Sequence, residues 1–198
     1  MPTKRSPNIT WAPRPENAIQ FKVTLRYIRP PIWRRVVLPD NYSLGDLHAV
    51  IQVAMGWQNC HMHSFQIGDV CYTSKNASEM EDMDMEREDR IRLKELGVRP
   101  KQKFMYEYDF GDSWEHEIVV EKILPFDPQG RYPVCIDGAR ACPPEDCGSF
   151  PGYMDIQEAL KVPKKTEEQK ELLEWAGDGY DPERFDIEVV NRRLIGKR

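Results

Sequence analysis

Within residues 19–28, positions 19–27 alternate without a break. Ile19, Phe21, Val23, Leu25 and Tyr27 fall on one parity, and Gln20, Lys22, Thr24 and Arg26 on the other. A period of two predicts a strand with one buried face. Pro30 and Pro31 end it, because proline has no N–H for a ladder. A second strand is expected over 32–38, with Trp33, Arg35 and Val37 opposite Ile32, Arg34, Val36 and Leu38. The period then changes. Leu44, Leu47, Val50, Ile51, Ala54 and Met55 recur at helical spacing behind Ser43, a capping residue, and Gly56 supplies the stop. Short strands are expected over 61–67 and 70–73, about a turn at Gly68-Asp69.

The strongest later signal is a hairpin spanning about 102–124. Phe104, Tyr106, Tyr108 and Phe110 share one parity, Gly111-Asp112-Ser113 supplies the turn, and Trp114, His116, Ile118 and Val120 form the returning face. Residues 125–133 read as loop and 135–151 as irregular chain. From there the spacing is helical: 153–160, then a helix capped by Thr166 and Gln169 and closed by Gly177, then a last helix with Asp181 as cap and Pro182 at its first position. Strands in runs followed by helices predict an α+β fold, with a mixed, mainly antiparallel sheet packed on helices and a C-terminal helical segment. We expect one domain over 18–198, in which 152–198 is a helical extension, behind a disordered lead-in at 1–17.

Composition narrows the function classes. The 198 residues carry a net charge of −5, with 40% apolar and 31% charged positions, so a generic phosphate-binding surface is not implied. No apolar run is long enough to span a membrane. The polar, proline-containing first residues do not resemble a secretion signal, and five cysteines form an odd set. Together these lead us to expect reduced thiols and a cytoplasmic protein. Residues 75–90 hold seven acidic side chains and are expected to form a mobile surface loop. Within them, Met80, Met83 and Met85 offer a soft-metal or partner surface as the alternative.

Several segments then add up. They are Pro30-Pro31-Ile32-Trp33-Arg34-Arg35, His48 through Gln52 to Trp57, His61-Met62-His63-Ser64-Phe65, the hairpin over 106–116, and Cys135-Ile136-Asp137-Gly138 leading to Cys142-Pro143-Pro144-Glu145-Asp146-Cys147-Gly148. In this order they resemble the uncharacterised family named after the third open reading frame of an agrobacterial root-inducing plasmid. The chain departs at Ser149-Phe150, where that family commonly has a second glycine before an aromatic. The resemblance implies little activity; some members carry resolvase-like labels or a fused repressor-type segment.

Candidate chemistry falls into three sets. Cys135, Cys142 and Cys147, completed by a histidine such as His61, His63 or His116, would suit a structural zinc; lacking a CxxC pair, they read more readily as small buried thiols. If 61–67 is a strand, His61 and His63 share a face. Joined by Asp109, Asp112 and His116, they would form a mixed site able to activate water, with those three as the catalytic candidates. Against this, His116 has inward parity and suits a core histidine bonded to Asp109 or Asp112. Arg34 and Arg35, with Lys22, Arg26 and Arg29, form the best basic patch; the alternative is an edge protected by charge. Trp57 and Trp114 are binding candidates beside it, although both, like Trp175, also suit a core.

The expected function is a binding or adaptor module tied to mobile-element or DNA-related processes. It would use the hairpin tip and cysteine loop on a protein or nucleic-acid partner, with no membrane role. The alternative is a metal-dependent hydrolase or nuclease.

Overall fold

The computed structural model describes residues 14–78, 84–177 and 179–196. Eight strands form one sheet: β1 (Asn17–Leu25), β2 (Trp33–Pro39), β3 (His63–Ile67), β4 (Val70–Thr73), β5 (Glu86–Arg87), β6 (Lys103–Tyr108), β7 (Trp114–Pro125) and β8 (Val134–Ala139). Their order is β5-β4-β3-β6-β7-β1-β2-β8. Every pairing is antiparallel except that of β4 with β5. The fold is therefore α+β with a mixed, mainly antiparallel sheet, as the alternation predicts. Much of the expected lead-in, residues 1–13, lies outside the described residues. Glu16 and Asn17 donate their backbone N–H groups to the Asp40 carboxylate, and Asn17 opens β1.

The register explains the core. Phe21 faces Val36 on one side and Val120 on the other, and Phe65, Tyr106 and His116 line up across β3, β6 and β7. All six are fully buried, on the face covered by helix α1 (Leu44–Met55). Ser43 and Asp46 close a full capping box on α1, and Gly56 ends it at φ 98°. Burial of side chains such as Leu44, Leu47 and Ile51 supplies most of the helix's stability, since each would cost about 2–5 kcal/mol on truncation to alanine.

Four sequence expectations change. The segment expected to be irregular contains β8, which pairs with β2, so β2 is interior and β8 is the edge. The protected-edge reading of Arg34 and Arg35 therefore fails. The acidic stretch is not wholly a surface loop: Lys75–Ser78 is the short helix α2, and Glu88 is buried against His63. Residues 79–83, with Met80 and Met83, lie outside the described residues, while Met85 is partly buried. Helix α3 (Ser149–Lys161) begins earlier than expected and is followed by α4 (Glu167–Ala176). The last helix, α5 (Ile187–Ile195), is capped by Asp186, not Asp181. Asp181 accepts the Glu183 N–H in a turn that does not propagate.

Helix α5 packs against α1 and β8, and α3 against α4. Tyr153, Ile156, Val190 and Leu194 join the core. Asn191 accepts the backbone N–H of Cys135 and donates to its carbonyl, both at 2.8 Å. Its amide thus occupies the outer margin of β8 as a neighbouring strand would. Trp175, a core candidate, is instead half exposed on α4.

Candidate functional site at the hairpin tip

The expected site residues do not form one centre. His61 precedes β3 and does not lie in it, so alternation does not bind it to His63. The two imidazoles separate. His63 is buried, donates or accepts at Glu88 Oε2 at 2.8 Å, and stacks on His48 with ring centroids 3.4 Å apart. His48 in turn bonds Tyr106 and Asn59. This is an internally satisfied polar network. His116 is fully buried: its Nδ1 donates to the Tyr106 carbonyl, and its ring meets the edge of Trp57. Burial holds its pKa down to about 3. It pairs with neither Asp109 nor Asp112.

The cysteines likewise stay apart. Cys135 Sγ contacts the Asp137 carbonyl, Cys142 Sγ lies 3.2 Å from Met55 Sδ, and Cys147 Sγ faces the Ser149 carbonyl. Burial raises all three thiols, Cys142 to about 11 and Cys147 to about 12. Among the described residues, no cluster of potential metal ligands includes any of them. They are small buried thiols, each with its own neighbour.

The basic patch dissolves for another reason. Arg34 is buried and gives its guanidinium hydrogens to the carbonyls of Ala54, Trp33, Ala139 and Arg140. Arg35 is held bidentately by Glu121 and also by Asp137. Arg26 pairs with Glu115, and Lys22 lies over Trp33. Trp57 and Trp114 are core residues.

What does converge is His61 with carboxylates from two other segments. Its Nε2 lies 2.8 Å from Asp146 Oδ1, 3.7 Å from Asp109 Oδ2 and 3.8 Å from Glu145 Oε1. His61, Asp109 and Asp146 present ligand atoms within 4.8 Å of one another, and so do Cys60, His61 and Glu145. Among the described residues, His61 is the ion-pair partner of all three acids, and no lysine or arginine reaches them. Nε2 is itself buried and makes no hydrogen bond, because Asp146 lies close to it but off the bonding direction.

Local structure fixes this geometry. Asp109 leaves β6 at φ 58° and folds back so that its Oδ1 accepts the Gly111 N–H. Asp146 takes the same left-handed region at φ 56°, which aspartate tolerates better than most residues. Glu145 is placed by the Gln58 N–H and by the Tyr108 hydroxyl, which donates to Oε1. Burial, and then the contact with Glu145, raise the Tyr108 phenol well above its ordinary range. Asp112 stands apart and accepts the Gly148 N–H. Behind the acids the chain turns tightly: a Cβ on Gly152 would sit 1.7 Å from the Cys147 carbonyl oxygen. Sequence reasoning quoted Glu145 and Asp146 only as part of a motif. The available signal was an acidic pair set between prolines and a cysteine, in a turn with few other polar groups.

The comparisons with known proteins agree with the architecture. The plasmid pRiA4b ORF-3-like protein family matches residues 17–189. The chain belongs to that family. A relative, the uncharacterized protein y4hQ of Sinorhizobium fredii (strain NBRC 101917 / NGR234), is 35% identical over 180 residues, covering 90% of this chain and 91% of that one. The crystal structure of a protein of unknown function, MM3350 from Methanosarcina mazei Go1, superimposes with a TM-score of 0.77 at 33% identity, over 88% of this chain and 98% of its own. No helix among the described residues is long and apolar enough to cross a membrane.

Proposed function

We propose that the protein is a binding module whose recognition site is the recess at the hairpin tip, and that the recess holds a divalent transition-metal cation. One observation carries this reading: the unbonded Nε2 of His61 facing three carboxylates that, among the described residues, no lysine or arginine reaches. Ligands about 2.0–2.2 Å from a metal lie roughly 3.0–3.4 Å from one another, and the observed separations of 2.8–3.8 Å bracket that spacing. Imidazole with carboxylate suits zinc, manganese or iron better than calcium. A bound cation would offset most of the acids' charge and tie the hairpin to the turn before α3. Asp146 is 63% exposed, so one side of the ion would face solvent, open to an oxygen donor from a partner. The plasmid-borne namesake of the family supports a mobile-element setting, with a protein or nucleic-acid partner.

Calorimetry on tag-free, EDTA-stripped protein tests it. Zinc or manganese should bind at one equivalent. His61→Ala and Asp109→Asn should each weaken binding by more than the roughly 10- to 100-fold of an outer-shell change, whereas Asp112→Asn should leave it unaltered. Absence of stoichiometric binding by any first-row divalent ion would refute the proposal. Metal-dependent turnover of a phosphoester panel, lost in Asp109→Asn, would replace the binding role with a hydrolase.

A further inference from the structure

A second cavity, of about 320 Å³, lies between the C-terminal end of α1, residues 141–145 and the segment from Tyr180 to Arg193. Its volume falls at the lower end of the roughly 300–1,000 Å³ typical of small-molecule sites. The walls are mixed, and Met55, Trp57, Tyr180, Phe185 and Val189 form their apolar part. The polar tips of the two wall aromatics are already engaged. Trp57 Nε1 donates to the Pro143 carbonyl and Tyr180 Oη to the Cys142 carbonyl. Both rings therefore offer apolar surface to an occupant.

Cations outnumber acids around this cavity. Three guanidinium groups line it: Arg34, Arg184 and Arg193. Arg34 is 2% exposed, and its partners are four carbonyls and the Phe185 ring at 4.1 Å. Among the described residues, no carboxylate lies within ion-pairing distance of Arg34, Arg184 or Arg193. A buried cation without a counter-charge is costly, and desolvation duly pulls the Arg34 pKa below its ordinary value. Two acids also line the cavity, and both accept hydrogen bonds from neutral donors. Glu145 is bonded to Gln58 N–H, Cys60 and Tyr108, and Asp186 accepts two N–H groups at the start of α5.

We infer that this cavity binds a small molecule with a flat apolar body and a single oxyanion head, carboxylate or phosphate. The body lies among Trp57, Tyr180 and Phe185. The head meets the forks of Arg184 and Arg193, whose planar donors match an oxyanion bidentately, above the field of Arg34. This site shares Glu145 with the hairpin-tip recess but uses neither His61, Asp109 nor Asp146.

The probes are 1-naphthoate and 1-naphthyl phosphate, with neutral 1-naphthamide as control, titrated by calorimetry into EDTA-stripped full-length protein. One-to-one binding of at least one anion is expected, at least tenfold tighter than that of the amide. The surface double variant Arg184→Ala/Arg193→Ala should lose at least tenfold for the anion and little for the amide. Val189→Trp, which fills the cavity, should abolish both. The preferred anion tells carboxylate from phosphate. No saturable binding, or binding equal for amide and anions, overturns the inference, as does binding unchanged in the arginine variant. Should Val189→Trp fail to fold, the arginine variant, altered only at exposed positions, still decides. Because the protein is metal-free, failure here leaves the cation proposal untouched, and the reverse also holds.

Discussion

At the scale of single residues, His116 shows how far burial outweighs solvation. An unfolded histidine titrates near 6.5, while the folded one is held to about 3. Between those values the unfolded chain carries a proton that the native state refuses. Stability is therefore complete above about pH 6.5 and falls as pH decreases toward 3, by up to about 1.4 kcal/mol per pH unit. Urea melts at pH 7, 6 and 5 should show that decline, and His116→Phe should flatten it; an equal slope in both proteins would contradict the assignment. Thiol reactivity offers a second check. Exposed Cys60 should react with a thiol reagent in the native protein, whereas Cys142 and Cys147, raised by burial, should react only after denaturation. Arg34 marks the limit of charge-based reading. Its parity with Ile32, Val36 and Leu38 pointed inward, while its charge suggested the surface. Parity prevailed because Ala54, Ala139 and Arg140 supply carbonyls from segments 20 to 106 positions away, which no local pattern displays.

At the scale of elements, segments with clear periodicity were legible, and so were the short strands β3 and β4 about their turn, while β8 and the start of α5 were not. Strands β1, β6 and β7 and helix α1 follow directly from alternation or helical spacing. Strand β8 was hidden because its six residues, Val134–Ala139, include an aspartate and a glycine, both poor strand formers. The glycine has a tertiary reason: a Cβ on Gly138 would lie 2.7 Å from the Phe185 ring. The start of α5 was misplaced because Asp181-Pro182 is a sound cap in isolation, yet its turn is spent on Glu183 and Arg184. Ser43, by contrast, caps as its sequence implies. Ser43→Ala should remove the bond to the Asp46 N–H and cost about 1 kcal/mol. A thermal melt should then fall by roughly 2–4 °C, and an unchanged midpoint would mean the cap adds nothing here.

At the scale of the whole molecule, the site was legible only in part. The hairpin tip and Asp109 were expected at its centre, and His61 beside it. The partners Glu145 and Asp146 were not, because they enter from a turn 36 residues beyond Asp109 whose path depends on the close approach of Gly152 to Cys147. Tertiary closure of the same kind governs the sheet margin. Asn191→Leu should cost about 1–3 kcal/mol by stranding the Cys135 amide and carbonyl, read from chemical denaturation. Its larger effect should appear in light scattering. Where the asparagine amide now sits, the variant would present bare backbone to any passing copy. One side chain on the last helix therefore acts as a guard against self-templated fibre growth, and its loss would show first as concentration-dependent turbidity.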